Sequence, residues 1–158
     1  MEKIASFQVD HTRLKCGIFV SRMDKFRETI LTTFDLRMKE PNKEPVLNVP
    51  ELHTIEHLGA TFLRSHNQWA SKTVYFGPMG CRTGFYAIFE GNISSAEIQP
   101  LIVEMFQFIG SFHGEIPGAK PEECGNWREQ NPEMASWEAN KYLETITNPK
   151  YENLNYPN

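Results

Sequence analysis

The chain has 158 residues, of which 40% are apolar and 23% charged, and carries a formal net charge of −4. Eleven Phe, five Tyr and three Trp supply bulk for a core without staples. The acidic balance, with Arg22, Lys25 and Arg27 thinly spread, excludes a nucleic-acid backbone binder, which needs clustered cations. No apolar run approaches the roughly 20 residues of a bilayer span, so no membrane partner is expected.

Met1 to Asp10 lacks the uninterrupted apolar stretch of an export signal, which predicts a cytoplasmic protein. Cys16, Cys81 and Cys124 are odd in number and far apart, so reduced thiols are expected rather than a disulfide scaffold. Cys16, flanked by Leu14 and Ile18, reads as a small buried hydrophobe.

In chain order, the first clear element is a strand over Thr29–Met38. Ile30, Thr32, Phe34, Leu36 and Met38 share one face, opposite Thr33, Asp35 and Arg37, so one buried face is expected. Pro41-Asn42 ends it. Asn48, with Glu51 in capping-box position, opens a helix from about Val49 to Leu63. Strands follow at Lys72–Phe76 and Gly84–Glu90, separated by a Gly- and Pro-rich loop from Gly77 to Thr83. Ser94 and Glu97 open a second helix with Ile98, Leu101, Ile102, Met105, Phe106 and Ile109 along one stripe. Pro100 predicts a kink or late start, and Gly110 ends it. A third helix starts near Asn131-Pro132, buries Ala135, Ala139, Tyr142, Leu143 and Ile146, and stops at Asn148-Pro149.

The connections between strands are too short for parallel crossovers. The pattern predicts a single α+β domain over residues 1–158: an antiparallel β-sheet with helices packed on one face, a two-layer sandwich.

The sharpest chemical signal is His53-Thr54-Ile55-Glu56-His57. Residues four apart on a helix share a face, so both imidazoles can reach one ion. Glu56 lies in the same turn, in the H-x-x-E-H order of a known metal-site signature. A catalytic site usually has a third protein ligand. Cys124 and Cys81 are candidates, with His11, His66 and His113 in reserve, and spacing does not choose among them.

Several segments together resemble the S-ribosylhomocysteine lyase (LuxS) family. They are Ser6-Phe7 through Asp10-His11-Thr12-Arg13-Leu14-Lys15, Thr33-Phe34-Asp35-Leu36-Arg37, and His53-Thr54-Ile55-Glu56-His57-Leu58. Gly77-Pro78-Met79-Gly80-Cys81-Arg82-Thr83-Gly84-Phe85-Tyr86 and Glu123-Cys124-Gly125-Asn126-Trp127-Arg128-Glu129 complete the set, in family order. Tyr75-Phe76-Gly77 departs from the polar triplet of many members, with Tyr75 at the place of a substrate-contacting Asp. The stretch Cys16 to Glu28 is more divergent than usual.

The resemblance implies a metal-dependent carbon–sulfur lyase. Members cleave S-ribosylhomocysteine to homocysteine and 4,5-dihydroxy-2,3-pentanedione, the precursor of the quorum-sensing signal autoinducer-2, and so recycle a methionine-cycle product. It implies Fe²⁺ held by His53, His57 and Cys124, with Zn²⁺ or Co²⁺ able to substitute. Cys81 and Glu56 are the implied general acid/base groups, and Ser6, His11 and Arg37 the implied substrate-binding groups. A symmetric homodimer with its active site at the subunit interface is also implied. Two rivals differ in class. A peptidase with the inverted zinc motif shares the two histidines and Glu56, but is usually much longer and lacks the Met-Gly-Cys-Arg-Thr-Gly block. A metal-stabilised dimeric binding module holds metal without turnover.

Overall fold

Residues 4–157 are described by the structure, a computed structural model, apart from the side chains of Ala5 and Ser6. A short helix, α1 (Ala5–Gln8), precedes a hairpin of β1 (Gly17–Phe26) and β2 (Thr29–Arg37). Helix α2 (Val49–Ser65) follows, then β3 (Thr73–Pro78) and β4 (Gly84–Glu90), and finally α3 (Ser95–Gly110) and α4 (Pro132–Ile146). The four strands form one antiparallel sheet in the order β1-β2-β4-β3. Helices α2, α3 and α4 share its core face, which is the expected α+β arrangement.

That face is built by register. Ile18 pairs with Leu36, Val20 with Phe34, Leu36 with Phe85 and Phe34 with Ala87. Successive side chains on a strand alternate faces, so these residues point together into the helices. Ile55, Leu58, Ile102, Phe106, Ala139 and Tyr142 meet them. Tyr142 also donates its hydroxyl to the Gly17 carbonyl at 2.6 Å, which ties α4 to β1.

The helix starts follow the capping residues. Glu51 accepts the Asn48 backbone N–H at 2.7 Å, Ser94 exchanges bonds with Glu97, and Asn131 accepts from Met134. Pro100 lies inside α3 and does not delay its start, because the Ser94–Glu97 box fixes the first turn ahead of it.

Two expectations need correction. The polar side of β2 is not solvent-facing: Thr33, Asp35 and Arg37 are 9%, 1% and 3% exposed. The segment after α4 returns across the sheet and covers it. Tyr156 stacks on Phe19, with ring centroids 4.8 Å apart, and its hydroxyl donates to Asp35. The stretch before β2, for which no element was expected, is strand β1. A bulge between Val20 and Arg22 interrupts its alternation, and Phe19 is buried by that same returning segment.

The loop between β3 and β4 is fastened at several points. Arg82, at φ 58°, turns the chain, and the Thr83 carbonyl accepts the N–H groups of Met38 and Lys39, each at 3.0 Å. Gly84 lies directly against Leu36, where a Cβ would fall 2.1 Å from the carbonyl oxygen. Any larger residue would push β4 off β2 and move the Cys81 loop with it. No described helix is long and apolar enough to cross a membrane.

Candidate metal centre and adjoining cleft

Helix α2 buries Leu52, Ile55 and Leu58, which leaves His53, Glu56 and His57 half-buried on its outer side. The chain from Pro117 to Gln130 passes over that side. Pro117 carbonyl oxygen lies 2.6 Å from His57 Nδ1, and Glu129 carbonyl oxygen lies 2.9 Å from His53 Nδ1. A carbonyl only accepts, so each imidazole carries its proton on Nδ1 and turns a bare Nε2 inward. Thr54 secures the loop from below by donating to Gln130 Oε1 at 2.7 Å and accepting the Asn131 N–H at 2.9 Å.

The two Nε2 atoms face one another at 3.0 Å, and Cys124 Sγ lies 3.4 Å from His53 Nε2. One ligand atom from each of the three residues falls within 4.8 Å of the others. Zn–N and Zn–S bonds of 2.0–2.1 and 2.3 Å imply separations of roughly 3.3 and 3.6 Å around a tetrahedral ion. The observed spacings are close to these. Two lone pairs at such a distance repel unless a cation sits between them, so the donor set fits a divalent metal. The carbonyls behind both rings are the outer partners that metal-ligating histidines ordinarily have. Sequence spacing left the third ligand open; the fold brings Cys124 to the histidines. His66 faces Glu104 at the other end of α2, and His113 lies in an exposed loop.

A separate cleft of about 490 Å³ opens beside Cys81. Phe7, His11, Arg37, Met79, Thr83 and Tyr86 help to line it, and none of the three metal-type ligands does. His11 is oriented by its Nδ1 against the Val9 carbonyl at 2.8 Å. Cys81 Sγ lies 3.0 Å from Thr83 Oγ1 and 3.8 Å from Arg37 Nη1. Burial pushes this thiol up, but hydrogen bonds from the Thr83 hydroxyl and amide and the Arg37 charge outweigh it. The net result is a thiol below its ordinary value.

Arg37 is anchored within the chain, with Nη2 donating to Asp35 Oδ2 at 2.6 Å and Nη1 to Thr83 Oγ1 at 2.5 Å. Burial opposes its charge, and the Asp35 carboxylate more than restores it, so Arg37 stays firmly protonated. Only Nε lacks a partner among the described residues. Glu56 is half-buried between the histidines and has no hydrogen-bond or ion-pair partner among the described residues. The Ser6 side chain, expected to bind substrate, lies outside the described residues. Tyr75 is half-exposed on the sheet's open face, where Ile4, Ser21, Thr33 and Tyr86 border a hollow with it.

Sequence reasoning missed Thr83, Asp35 and Tyr156. Asp35 lies two residues before Arg37 on β2, a spacing that puts strand residues on one face, whereas Thr83 reaches Cys81 through the turn at Arg82. Nothing local marks Tyr156.

A family model described as S-Ribosylhomocysteinase (LuxS) matches residues 4–153. The chain is 55% identical over 157 residues to a protein of Clostridium acetobutylicum named S-ribosylhomocysteine lyase, covering 99% of each. It is 56% identical over 158 residues to one of the same name from Porphyromonas gingivalis, again covering 99% of each. With a third so named, from Borreliella afzelii, identity is 54% over 157 residues, covering 99% of this chain and 100% of the other.

Proposed function

Because the chain belongs to the S-ribosylhomocysteinase (LuxS) family, we propose that it is a metal-dependent carbon–sulfur lyase, one domain over residues 1–158. It cleaves S-ribosylhomocysteine to homocysteine and 4,5-dihydroxy-2,3-pentanedione. The observation that carries the metal half of this reading is the convergence of His53, His57 and Cys124, with both histidines fixed from behind by carbonyls. Imidazole and thiolate donors suit Fe²⁺, our assignment for the native ion, and equally accept Zn²⁺ or Co²⁺. When bound, the ion supplies a Lewis acid for the sugar carbonyl.

The chain's own groups move the protons. The carbonyl migrates from C1 to C2 and then to C3 in two isomerisations, each removing a proton α to a carbonyl and returning it one carbon away. β-Elimination then expels homocysteine thiolate. Cys81 suits the shuttle because the Thr83 and Arg37 contacts hold its thiol below the ordinary value, which makes the thiolate easier to form. Glu56, on the helix turn between the two histidines, is the second acid/base. His11, Ser6 and Arg37 hold the ribosyl and homocysteine ends; the guanidinium of Arg37 suits a carboxylate.

The working unit is a symmetric homodimer with the active site at the subunit interface. Two features support this. The Cys81 cleft and the metal-type cluster have no lining residue in common. Ile4, Phe7 and Tyr75 leave 60%, 70% and 46% of their surface exposed. Free thiols at Cys16, Cys81 and Cys124 suit a reducing cytoplasm. The product would feed autoinducer-2 signalling and the homocysteine would return to the methionine cycle.

The deciding assay is thiol release from S-ribosylhomocysteine by anaerobically prepared, metal-loaded protein. One homocysteine per substrate, lost in Cys81→Ala while the metal stays bound, is expected. No thiol from the loaded, reduced wild type overturns the assignment.

A further inference from the structure

Asp35 and Arg37 lie two residues apart on β2, on the sheet face that the helices leave open. Their side chains are nearly inaccessible, and Oδ1 of Asp35 and Nε of Arg37 are without partners among the described residues. The pair is therefore held by few contacts, and each one matters. One comes from the far end of the chain. Tyr156 lies flat on Phe19, 11° from parallel, and donates its hydroxyl to Asp35 Oδ2 at 2.8 Å. The same oxygen receives Arg37 Nη2 at 2.6 Å, while Nη1 reaches Thr83 and, at 3.8 Å, Cys81 Sγ. Tyr156 and Arg37 thus donate to the same Asp35 oxygen, and Arg37 in turn reaches the thiol, so the contacts run without a gap from Tyr156 to Cys81.

We propose that Tyr156 is a positioning residue: by bonding Asp35 Oδ2 it sets the Arg37 guanidinium against Cys81 and readies the thiol for proton transfer. The stack on Phe19 supplies the aim, since it fixes the ring in the plane that carries the hydroxyl to Asp35. The hydroxyl supplies the effect. It shares the carboxylate's charge, so Asp35 does not draw the guanidinium wholly to itself. With the hydroxyl gone, the Asp35 carboxylate is free to turn, and it carries the guanidinium bonded to it away from a sulfur already at the edge of contact. The thiolate loses cationic support and the thiol becomes a weaker acid.

Burial pushes Asp35 up, opposed by Arg37 and by this same hydroxyl; burial and Asp35 together push Tyr156 upward, so its proton stays on. The other titratable groups on the cleft are His11, Glu44 and Tyr86, and those beside Tyr156 are Arg13, Lys15, Tyr151 and Glu152. All remain in a Tyr156→Phe chain, which removes one oxygen and keeps the stack.

The proposal rests on the lyase reading for its purpose but not for its test. Cys81 alkylation by iodoacetamide is followed against pH in the metal-loaded protein, with a Cys81→Ala chain as blank. In Tyr156→Phe the inflection is expected to move to higher pH. Alkylation near neutral pH should be about threefold slower, with metal content and Tm at wild-type values. In S-ribosylhomocysteine turnover, kcat should fall at neutral pH and recover at higher pH, with KM little changed. An Asp35→Asn background should abolish the Tyr156→Phe effect on alkylation, because the line is cut between them. An unmoved alkylation profile overturns the proposal whether or not Tm drops, since a tail that only packs would lower Tm alone. A lyase assay without product leaves the alkylation result standing, so the two readings fail separately.

Discussion

His53 and His57 hold their Nε2 atoms 3.0 Å apart while each Nδ1 faces a backbone carbonyl, so two lone pairs confront one another across a gap sized for an ion. Removing one ring should empty the site. His57→Ala, purified alongside wild type and analysed by atomic emission, is expected to keep its helical circular dichroism and retain below about a tenth of the metal. Full metal in this variant would show that the ion sits elsewhere.

Behind His57, Gly118 adopts φ +73°, and a Cβ there would lie 3.2 Å from Nδ1. Gly118→Ala strains the backbone and crowds the ring away from the Pro117 carbonyl. Metal affinity, measured by competition with a chromophoric chelator, should fall about 10- to 100-fold. Wild-type affinity would mean that the ring needs no support from this loop.

Thr83 Oγ1 lies 3.0 Å from Cys81 Sγ and contributes to the thiol's lowered value. A thiolate fraction grows with pH, so a thiol held below its ordinary value reacts at lower pH than free cysteine. In Thr83→Val that advantage should shrink, with the alkylation midpoint of Cys81 moving up. An unchanged midpoint would leave the Thr83 amide and Arg37 as the cause.

Lys39 and Glu138 form a buried pair at 2.6 Å, with 4% and 6% of their side chains exposed, joining the end of β2 to α4. Breaking such a pair strands a charge, so Glu138→Gln should cost about 3–5 kcal/mol in urea unfolding. Replacing both by Met should recover much of that loss. Equal losses in the single and double variants would show that α4 is held by packing alone.

Cys16 donates its thiol to the Met38 carbonyl, and burial, followed by the charges of Glu44 and Glu40, pushes it from the thiol's ordinary 9.0 up to about 11. A raised acid is neutral in the folded chain while it ionises in the unfolded one. Its contribution is present below the unfolded value and is lost as pH climbs from 9.0 toward 11. Cys16→Ala should therefore lose less stability over that window than wild type in thermal melts. Parallel curves would assign the alkaline loss to other groups.

How much of this was legible beforehand follows from the range of each interaction. A four-residue spacing on a helix fixes two side chains on one face wherever the helix sits, so His53 and His57 could be paired from the sequence. Capping pairs such as Ser94 and Glu97 are equally local, as is the alternation that placed β2 and β4. The third ligand is not local. Cys124 is 71 residues from His53, and only the loop carried over α2 by Thr54, Gln130 and Asn131 selects it over Cys81. Strand β1 escaped notice because its bulge breaks the alternation and its second face is buried by Tyr156, 121 residues from the Asp35 it bonds. The sequence alone determined the three long helices, most of the sheet and two of the three metal-type ligands, since backbone geometry sets those relationships over a few residues. Tertiary structure decided which cysteine joins the two histidines, the burial of Asp35 and Arg37 and the setting of the Cys81 thiol. Each of these depends on which distant segment the folded chain lays across the sheet and α2.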